Sequence, residues 1–282
     1  MIGAIAGDII GSVYEFDQIK STDFELFGDY HGEKCDFTDD TVMTIAVAAA
    51  VMRTDVDGDW SKLGNLCSQY MHRLGELYPD RGYGERFGMW LFLDDPIPYN
   101  SFGNGAAMRV SPVVYAATSL DEALTLSDRV TEITHNHPEG LKGARATTAC
   151  IFLAHQGADK NTIRNYVENN FYALDFTIDG IREQYRFNES CQKTVPQAIQ
   201  AFLESENYEE TIRMAVSLGG DSDTLACIAG SIAEAFYEVP ASISQRAREY
   251  LPKELLQIVD AFEARYQNLP GLEKQDDSKR GV

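Results

Sequence analysis

Two short acidic stretches, far apart in the chain, contain the residue types most suited to chemistry. The first is FTDDT, residues 37–41, and the second is GGDSDT, residues 219–224. In each stretch, carboxylates and a threonine stand directly before an apolar segment rich in small residues. Either stretch alone is typical of a helix N-cap, because Asp and Thr side chains accept hydrogen bonds from free amides at the positive end of a helix.

The presence of two such stretches favours a metal site over two separate caps. Small residues on both following segments would let the two helices approach closely, which would place four carboxylates in one site: Asp39, Asp40, Asp221 and Asp223. Two unit charges about 4 Å apart repel by about 4 kcal/mol at an effective dielectric near 20. Neither stretch contains a basic residue, so protonation, a distant Lys or Arg, or bound cations must offset this repulsion. All-oxygen ligands suit Mg²⁺, Mn²⁺ or Ca²⁺ better than zinc, and four negative charges balance two divalent ions.

A further carboxylate follows the first apolar segment. Glycines recur there every four residues, which predicts a helix with one bare face for packing: Gly3, Gly7 and Gly11. Asp8, Ser12 and Glu15 would lie on a neighbouring polar face. Glu15, at the predicted end of the helix, is a candidate acid–base or metal-facing group. From these residues alone, a solvated surface glutamate is the better interpretation.

Two other polar stretches suggest ligand binding less strongly. In SFGNGAAMRVSP, Gly103, Asn104 and Gly105 precede a predicted helix, and amides at a helix N-terminus commonly bind anions. A plain turn is equally compatible with this motif. In EITHNHPEG, His135 and His137 are weak evidence for a metal site, and we favour hydrogen bonding to a ligand or to the backbone.

The elements that must position these residues are helical, because apolar residues recur at three- and four-residue spacing along most of the chain. The predicted helices are 2–15, 41–53, 60–73, 105–117, 121–131, 139–156, 194–204, 208–217, 224–236 and 254–267. No linker rich in Pro, Ser or Gly divides the chain, so we predict one all-α domain over residues 1–270 and a flexible tail over 271–282. The longest irregular region, 75–105, is rich in glycine and aromatic residues. Such a loop is usually functional, with a structural Ω-loop as the alternative.

Composition limits the partners of the protein. The chain has 282 residues, 44% of them hydrophobic, and 24 Lys and Arg against 44 Asp and Glu give a net charge of −20. This charge disfavours nonspecific nucleic-acid binding, but a small anion held by local donors or metal remains compatible with it. The first residues lack the basic region of a signal peptide, and no apolar run reaches the roughly 18 residues of a membrane span. We therefore expect a cytoplasmic protein that does not bind membranes, with its five scattered cysteines as buried free thiols.

Five motifs in order, GAIAGDIIGSVYE, FTDDT, SFGNGAAMR, THNHPEG and GGDSDT, closely resemble the ADP-ribosylglycohydrolase family over about residues 3–240. Each motif alone is modest, but their combination is highly specific. The resemblance implies a compact, single-domain orthogonal helical bundle with two Mg²⁺ or Mn²⁺ ions at the bottom of a cleft. It also implies hydrolysis of the bond between a modified side chain, or a small adduct, and the anomeric carbon of the distal ribose of ADP-ribose.

The resemblance also implies roles for individual residues. The implied metal ligands are Thr38, Asp39, Asp40, Asp221, Asp223 and Thr224. The implied catalytic groups are Glu15, Asp39 and Asp223. The implied contacts to ADP-ribose are Gly103, Asn104, Gly105 and His135. Three aromatic residues of the irregular region could stack on adenine or shape the cleft: Tyr83, Tyr99 and Phe102. Ser222 stands where the family usually has Ala or Thr, a small departure that leaves the implied ligands unchanged.

Two other functions are alternatives to a glycohydrolase. A catalytically inactive relative that only binds ADP-ribose would be expected to have lost metal carboxylates, yet every implied ligand position is filled here. A metal-dependent nucleotide phosphohydrolase also uses carboxylate clusters, but it would release phosphate and would not need a Gly-Asn-Gly loop beside a ribose. The linkage that is cleaved, whether to arginine, to serine, to an O-acetyl group or to another adduct, does not follow from these motifs.

Overall fold

A computed structural model describes residues 1–266 of the chain. The helices are α1 (Ile2–Ser12), α2 (Asp39–Asp57), α3 (Leu63–Leu77), α4 (Glu85–Leu91), α5 (Gly105–Met108), α6 (Ser111–Ala116), α7 (Leu120–Thr131), α8 (Pro138–His155), α9 (Lys160–Asn170), α10 (Ile178–Arg182), α11 (Cys191–Glu204), α12 (Tyr208–Val216), α13 (Ser222–Tyr237), α14 (Ala241–Tyr250) and α15 (Lys253–Tyr266). A 3₁₀ turn (Trp60–Lys62) precedes α3, and a small antiparallel hairpin pairs β1 (Asp29–Tyr30) with β2 (Glu33–Lys34). The prediction of an all-α fold is confirmed, and the predicted tail at 271–282 lies outside the described residues.

The contact between α1 and α13 lies at the centre of the molecule. A β-carbon built on Gly7 would lie 2.1 Å from the carbonyl oxygen of Ala226, and one built on Gly3 would lie 2.6 Å from that of Gly230. The bare face predicted from the glycine spacing therefore packs directly on the backbone of α13. We expected the small residues of α13 to face α2, but they face α1. α2 makes few contacts with α13.

The acidic stretches form the first turns of α2 and α13, so both helices begin slightly earlier than predicted. Thr38 is the N-cap of α2, and its hydroxyl oxygen accepts a hydrogen bond from the amide of Asp40 at 3.3 Å. Asp221 is the N-cap residue of α13. α2 ends at Gly58, whose φ of +67° lies in the left-handed region that glycine adopts without strain. The two sequence motifs therefore lie at the N-terminal ends of two largely buried helices.

Several elements differ from the sequence prediction. The predicted helix 105–117 is divided into α5 and α6, because Pro112 in the first turn of α6 has no amide hydrogen to continue the preceding helix. The predicted irregular region 75–105 contains α4. Three further helices were not predicted: α9, α10 and α14. In the first and last of these, only two residues each are buried, so the apolar periodicity is weak.

Two other expectations concern the cysteines and the membrane. All five cysteines are free and buried, as predicted. Within residues 1–266, no helix combines the length and the apolar character needed to cross a bilayer.

The close contact between α1 and α13 predicts an unequal response to adding a methyl group. We expect Gly7→Ala to lower the free energy of unfolding by about 3 kcal/mol, because the new β-carbon would overlap backbone atoms that cannot rotate away. Gly88→Ala in α4 is the matched control, since its β-carbon would lie 3.8 Å from its nearest neighbour, a side-chain atom of Tyr83. Urea denaturation of both variants measures the difference. Equal stabilities would contradict the packing described here.

Candidate active site

A cleft of about 470 Å³ opens above the N-termini of α2 and α13. One side carries residues from both acidic stretches and from the turn after α1: Glu15, Asp39, Asp40, Asp221, Asp223 and Thr224. The other sides carry the 103–105 loop, His135 and part of α4. Residues 184 positions apart thus meet directly, since the hydroxyl of Thr224 donates to Oδ2 of Asp40 at 3.1 Å.

Asp8, which the sequence analysis placed on a polar face of the first helix without assigning it to the site, belongs to this region. It lies on α1 and is completely buried. Its Oδ2 accepts hydrogen bonds from the amides of Thr38 and Thr41, each at 3.0 Å, and its Oδ1 accepts one from the Thr38 hydroxyl at 2.7 Å. Asp8 therefore attaches α1 to the start of α2. The available signal was an aspartate inside the apolar run GAIAGDIIG, because a buried carboxylate requires partners.

The carboxylates converge in two groups of three, and within each group one ligand atom per residue lies within 4.8 Å of the others. The first group contains Asp8, Asp40 and Asp223, and the second contains Glu15, Asp221 and Asp223. Asp223 belongs to both groups. Oδ1 of Asp40 is buried without a hydrogen-bond partner among the described residues. An oxygen-only donor set with an unsatisfied buried oxygen fits hard divalent cations, and two groups that share one residue fit two neighbouring ions.

Burial dominates the electrostatics of this cluster. Burial, together with the charges of Asp221, Asp8 and Glu189, raises the pKa of Glu15 to about 8. Burial likewise raises the pKa of Asp8 to about 6, although hydrogen bonds from Thr38 and Thr41 oppose the shift. The pKa values of Asp39, Asp40 and Asp223 are raised well above the usual range, first by burial and then by neighbouring carboxylates. Without cations, the cluster therefore retains protons at neutral pH.

Thr38 does not line the cleft. Its hydroxyl donates to Asp8 and accepts from the amide of Asp40. Its implied role as a metal ligand stays a prediction. Thr38 links α1 to α2 and so fixes the position of Asp39 and Asp40 at the start of α2.

Glu15 lies in a turn beyond the end of α1, at Ser12, rather than on the helix itself. The next residue, Phe16, has a φ of +67°, which is unusual for a residue other than glycine. The amide of Phe16 donates to the carbonyl oxygen of Gly220 at 3.1 Å, and the amide of Gly220 donates to the carbonyl oxygen of Asp17 at 2.9 Å. The turn is thereby held against the loop before α13. Glu15 is half-buried in the cleft, so the interpretation as a solvated surface residue was wrong.

The 103–105 loop differs in detail from the expected anion site. The amide of Gly103 donates to the hydroxyl of Ser101 at 3.1 Å, and the amide of Asn104 donates to the carbonyl of Glu189 at 2.7 Å. Two of the three amides therefore already have acceptors. The Asn104 side chain donates to Oδ2 of Asp221 at 2.7 Å, so it orients a carboxylate of the cluster.

The aromatic residues are only partly as predicted. Tyr99 lines the cleft. Phe102 does not, because its ring is 48% exposed and lies edge-on to His137, with centroids 5.3 Å apart. Tyr83 lies outside the lining, and its hydroxyl donates to the carbonyl of Tyr78 at 3.0 Å. Two cleft aromatics were missed by sequence reasoning, Phe87 and Phe187.

The two histidines of THNHPEG have different surroundings. His135 lines the cleft and is buried. His137 caps α8, since its Nδ1 accepts a hydrogen bond from the amide of Glu139 at 3.1 Å. We expected these histidines to form hydrogen bonds with the backbone or with a ligand, and His137 forms one with the backbone.

Known proteins resemble this chain along most of its length. It is 24% identical to human ADP-ribosylhydrolase ARH3 over an alignment of 331 positions, which covers 91% of this chain and 90% of ARH3. It is 25% identical over 259 residues to ADP-ribosylarginine hydrolase Tri1 of Pseudomonas putida (strain GB-1), covering 85% of this chain and 70% of Tri1. A solved structure titled ADP-ribosylglycohydrolase-related protein complex shares the fold, with a TM-score of 0.69 at 24% identity and coverage of 93% of this chain and 94% of that one.

The family assignment agrees with these similarities. A sequence model described as ADP-ribosylglycohydrolase matches residues 1–271, nearly the whole chain. The protein belongs to the ADP-ribosylglycohydrolase family.

Proposed function

We propose that the protein is a metal-dependent hydrolase that removes ADP-ribose from a modified side chain or a small adduct. The bond cleaved is the one at the anomeric carbon of the distal ribose. Family membership supports a hydrolase that acts on ADP-ribose linkages. The observation that carries the finer proposal is the pair of three-carboxylate clusters at the cleft. The two clusters share Asp223, and one of them contains Glu15.

The proposed ligands of the two cations are those implied by the family resemblance: Thr38, Asp39, Asp40, Asp221, Asp223 and Thr224. Asp8 lies in the same cluster and holds Thr38 in place. Bound there, two Mg²⁺ or Mn²⁺ ions would supply Lewis-acid stabilisation and orientation of the ribose hydroxyls. Asn104 would keep Asp221 oriented through the hydrogen bond from its side-chain amide.

Glu15 is the proposed acid–base group. In hydrolysis, a water oxygen bonds to the anomeric carbon while the bond to the leaving nitrogen or oxygen breaks, and the departing group gains the proton that the water loses. Glu15 lies among Asp221 and Asp223, where burial holds its pKa far above that of an ordinary glutamate. The charge of bound cations would lower this pKa, so that in the metal-loaded protein the Glu15 carboxylate would be ionised and could accept the proton from the attacking water. Tyr99 and Phe187 would flank the substrate and limit access of other water.

The products distinguish this function from the two alternatives. Purified protein would be incubated with an ADP-ribosyl-arginine peptide, an ADP-ribosyl-serine peptide and O-acetyl-ADP-ribose, and free ADP-ribose and inorganic phosphate would be quantified. We expect release of ADP-ribose from at least one substrate, loss of release after EDTA treatment, and recovery with Mg²⁺ or Mn²⁺ but poor recovery with zinc. Release of phosphate alone would favour a phosphohydrolase. Tight binding of ADP-ribose without turnover of any substrate would favour an inactive relative.

The raised pKa values predict a pH dependence of stability for the metal-free protein. A carboxyl whose folded pKa is raised stabilises the folded state while it is protonated, and this contribution is lost as pH rises through the folded pKa. The pKa of Glu15 is about 8 in the folded protein against an ordinary value of 4.5, so the melting temperature in EDTA should fall from about pH 5 to about pH 8 and level off above that. Mg²⁺ should raise the melting temperature more at the higher pH, where protons no longer compete.

Glu15→Gln supplies the control for this titration. The variant lacks the ionising group, so the decline between about pH 5 and about pH 8 in EDTA should be shallower than in the wild type. Identical slopes for the two proteins would show that Glu15 does not titrate in this range.

Glu15→Gln also tests the catalytic role of Glu15. The change is nearly isosteric, and loss of an acid–base group lowers kcat by roughly 10²–10⁴. Metal content and folding should be retained. Glu85→Gln is the matched control, because it removes one charge from the α4 side of the same cleft and should leave kcat within about threefold. A near-normal kcat for Glu15→Gln, measured on a confirmed substrate, would remove Glu15 from the mechanism.

A further inference from the structure

Arg109 is a buried cation to which the proposed mechanism assigns no role. It follows α5 and is completely buried beside the cleft. None of the ion pairs in residues 1–266 includes it. Its Nε and Nη1 also have no hydrogen-bond partner in the described part of the chain. Because a buried charge without a carboxylate partner is costly, the contacts that Arg109 does make deserve a functional explanation.

Those contacts lead to His135. Nη2 of Arg109 donates to Oγ1 of Thr134 at 2.6 Å and to the carbonyl of Val130 at 3.3 Å. Oγ1 of Thr134 lies 2.7 Å from Nδ1 of His135. Nη2 of Arg109 is itself 3.5 Å from the same nitrogen. One guanidinium group and one hydroxyl therefore converge on a single nitrogen of the His135 ring.

The chemistry of these groups determines the direction of each hydrogen bond. A guanidinium has no acceptor, so Oγ1 of Thr134 must accept from Arg109, which leaves the hydroxyl proton free to donate to His135. A proton on Nδ1 of His135 would point at Nη2 of Arg109, which is 3.5 Å away and can only donate, so Nδ1 is the unprotonated nitrogen and the Thr134 hydroxyl donates to it. A neutral imidazole with an unprotonated Nδ1 carries its proton on Nε2.

Nε2 of His135 lies beside the 103–105 loop. A β-carbon built on Gly105 would lie 3.3 Å from Nε2, and one built on Gly103 would lie 3.5 Å from it. Burial lowers the pKa of His135 well below the usual value, and the charges of Arg109 and Arg86 lower it further. The ring is therefore neutral at physiological pH, with one N–H group directed toward the glycine loop and the cleft.

We propose that Arg109 and Thr134 are positioning residues that fix His135 as a neutral imidazole protonated on Nε2. His135 then offers one fixed donor to an acceptor oxygen of ADP-ribose and takes no part in proton transfer. The identity of this ligand rests on the proposed function, whereas the tautomer does not. The buried charge of Arg109 serves to hold the Thr134 hydroxyl with its oxygen toward Arg109 and its proton toward the ring.

The tautomer is measurable in the protein without substrate. Long-range ¹H–¹⁵N NMR spectra of histidine-labelled protein separate the two tautomers, and His72 provides an internal reference of the opposite kind. Nδ1 of His72 lies 2.6 Å from the carbonyl of Leu91, which can only accept, so the proton of His72 must lie on Nδ1. We expect His135 to be protonated on Nε2 and His72 on Nδ1, with signals assigned by His135→Gln and His72→Gln. A proton on Nδ1 of His135 would overturn the proposal.

Substitutions at Thr134 test whether its hydroxyl fixes the tautomer of His135. Thr134→Val keeps the shape of the side chain but removes the hydroxyl, so His135 should populate both tautomers. The Kd for ADP-ribose in the presence of Mg²⁺, measured by calorimetry, should rise about 3- to 10-fold, the effect of one hydrogen bond. Thr134→Ser keeps the hydroxyl and should retain both the tautomer and the affinity. A single Nε2–H tautomer in Thr134→Val would contradict the role of Thr134.

Arg109→Met tests the other positioning residue, and it should produce the same mixture of tautomers as Thr134→Val. Since a buried substitution of this size could prevent folding, the two Thr134 variants and the wild-type spectrum decide the proposal independently. Failure of the proposed function would give a different result. In that case no ADP-ribose would be released or bound, while the tautomers of His72 and His135 would still be opposite.

Discussion

The arrangement of the active site depends on how closely α1 and α13 approach each other. Gly7 lies directly against the backbone of Ala226, at a separation that leaves no room for a β-carbon. This contact places Asp8 of α1 near Asp223 in the first turn of α13, and hydrogen bonds from Thr38 and Thr41 to Asp8 then fix the start of α2. A wider separation of α1 and α13 would move the carboxylate of Asp8 away from that of Asp223. The small residues near the start of the chain are thus as important to the site as the acidic residues themselves.

The same arrangement concentrates negative charge where water is scarce. Each carboxylate of the cluster is offset partly by local donors, such as the Asn104 amide for Asp221 and the Thr224 hydroxyl for Asp40. These donors do not satisfy every oxygen, since Oδ1 of Asp40 has no partner among the described residues. Arg109, which lines the same cleft, has the complementary problem of a buried positive charge, and neutral hydroxyl and carbonyl groups solvate only part of it.

The sequence predicted the chemical character of the site better than its geometry. The acidic stretches at residues 37–41 and 219–224 could be recognised because the same arrangement occurs twice and because neither stretch contains a basic residue. Asp8 could not be placed in the same way, because its role depends on which helices enclose α1. The short helices α9 and α14 escaped prediction since each buries only two residues. Among aromatic residues, Phe102 and Phe187 each lie between polar or glycine neighbours, and only tertiary packing decides that the second lines the cleft.

The distance along the chain between the two acidic stretches has a consequence for biosynthesis. Asp40 and Thr224, which are in direct contact, are separated by 184 positions. Contacts between such distant residues form late, because a long intervening segment must first be ordered. During translation, α1 and α2 emerge from the ribosome well before α13, so their apolar faces and the Asp8 carboxylate lack their final neighbour for most of synthesis. The carboxylate cluster is therefore assembled only when the late part of the chain docks on the early part, and incomplete chains that end before residue 221 cannot assemble it.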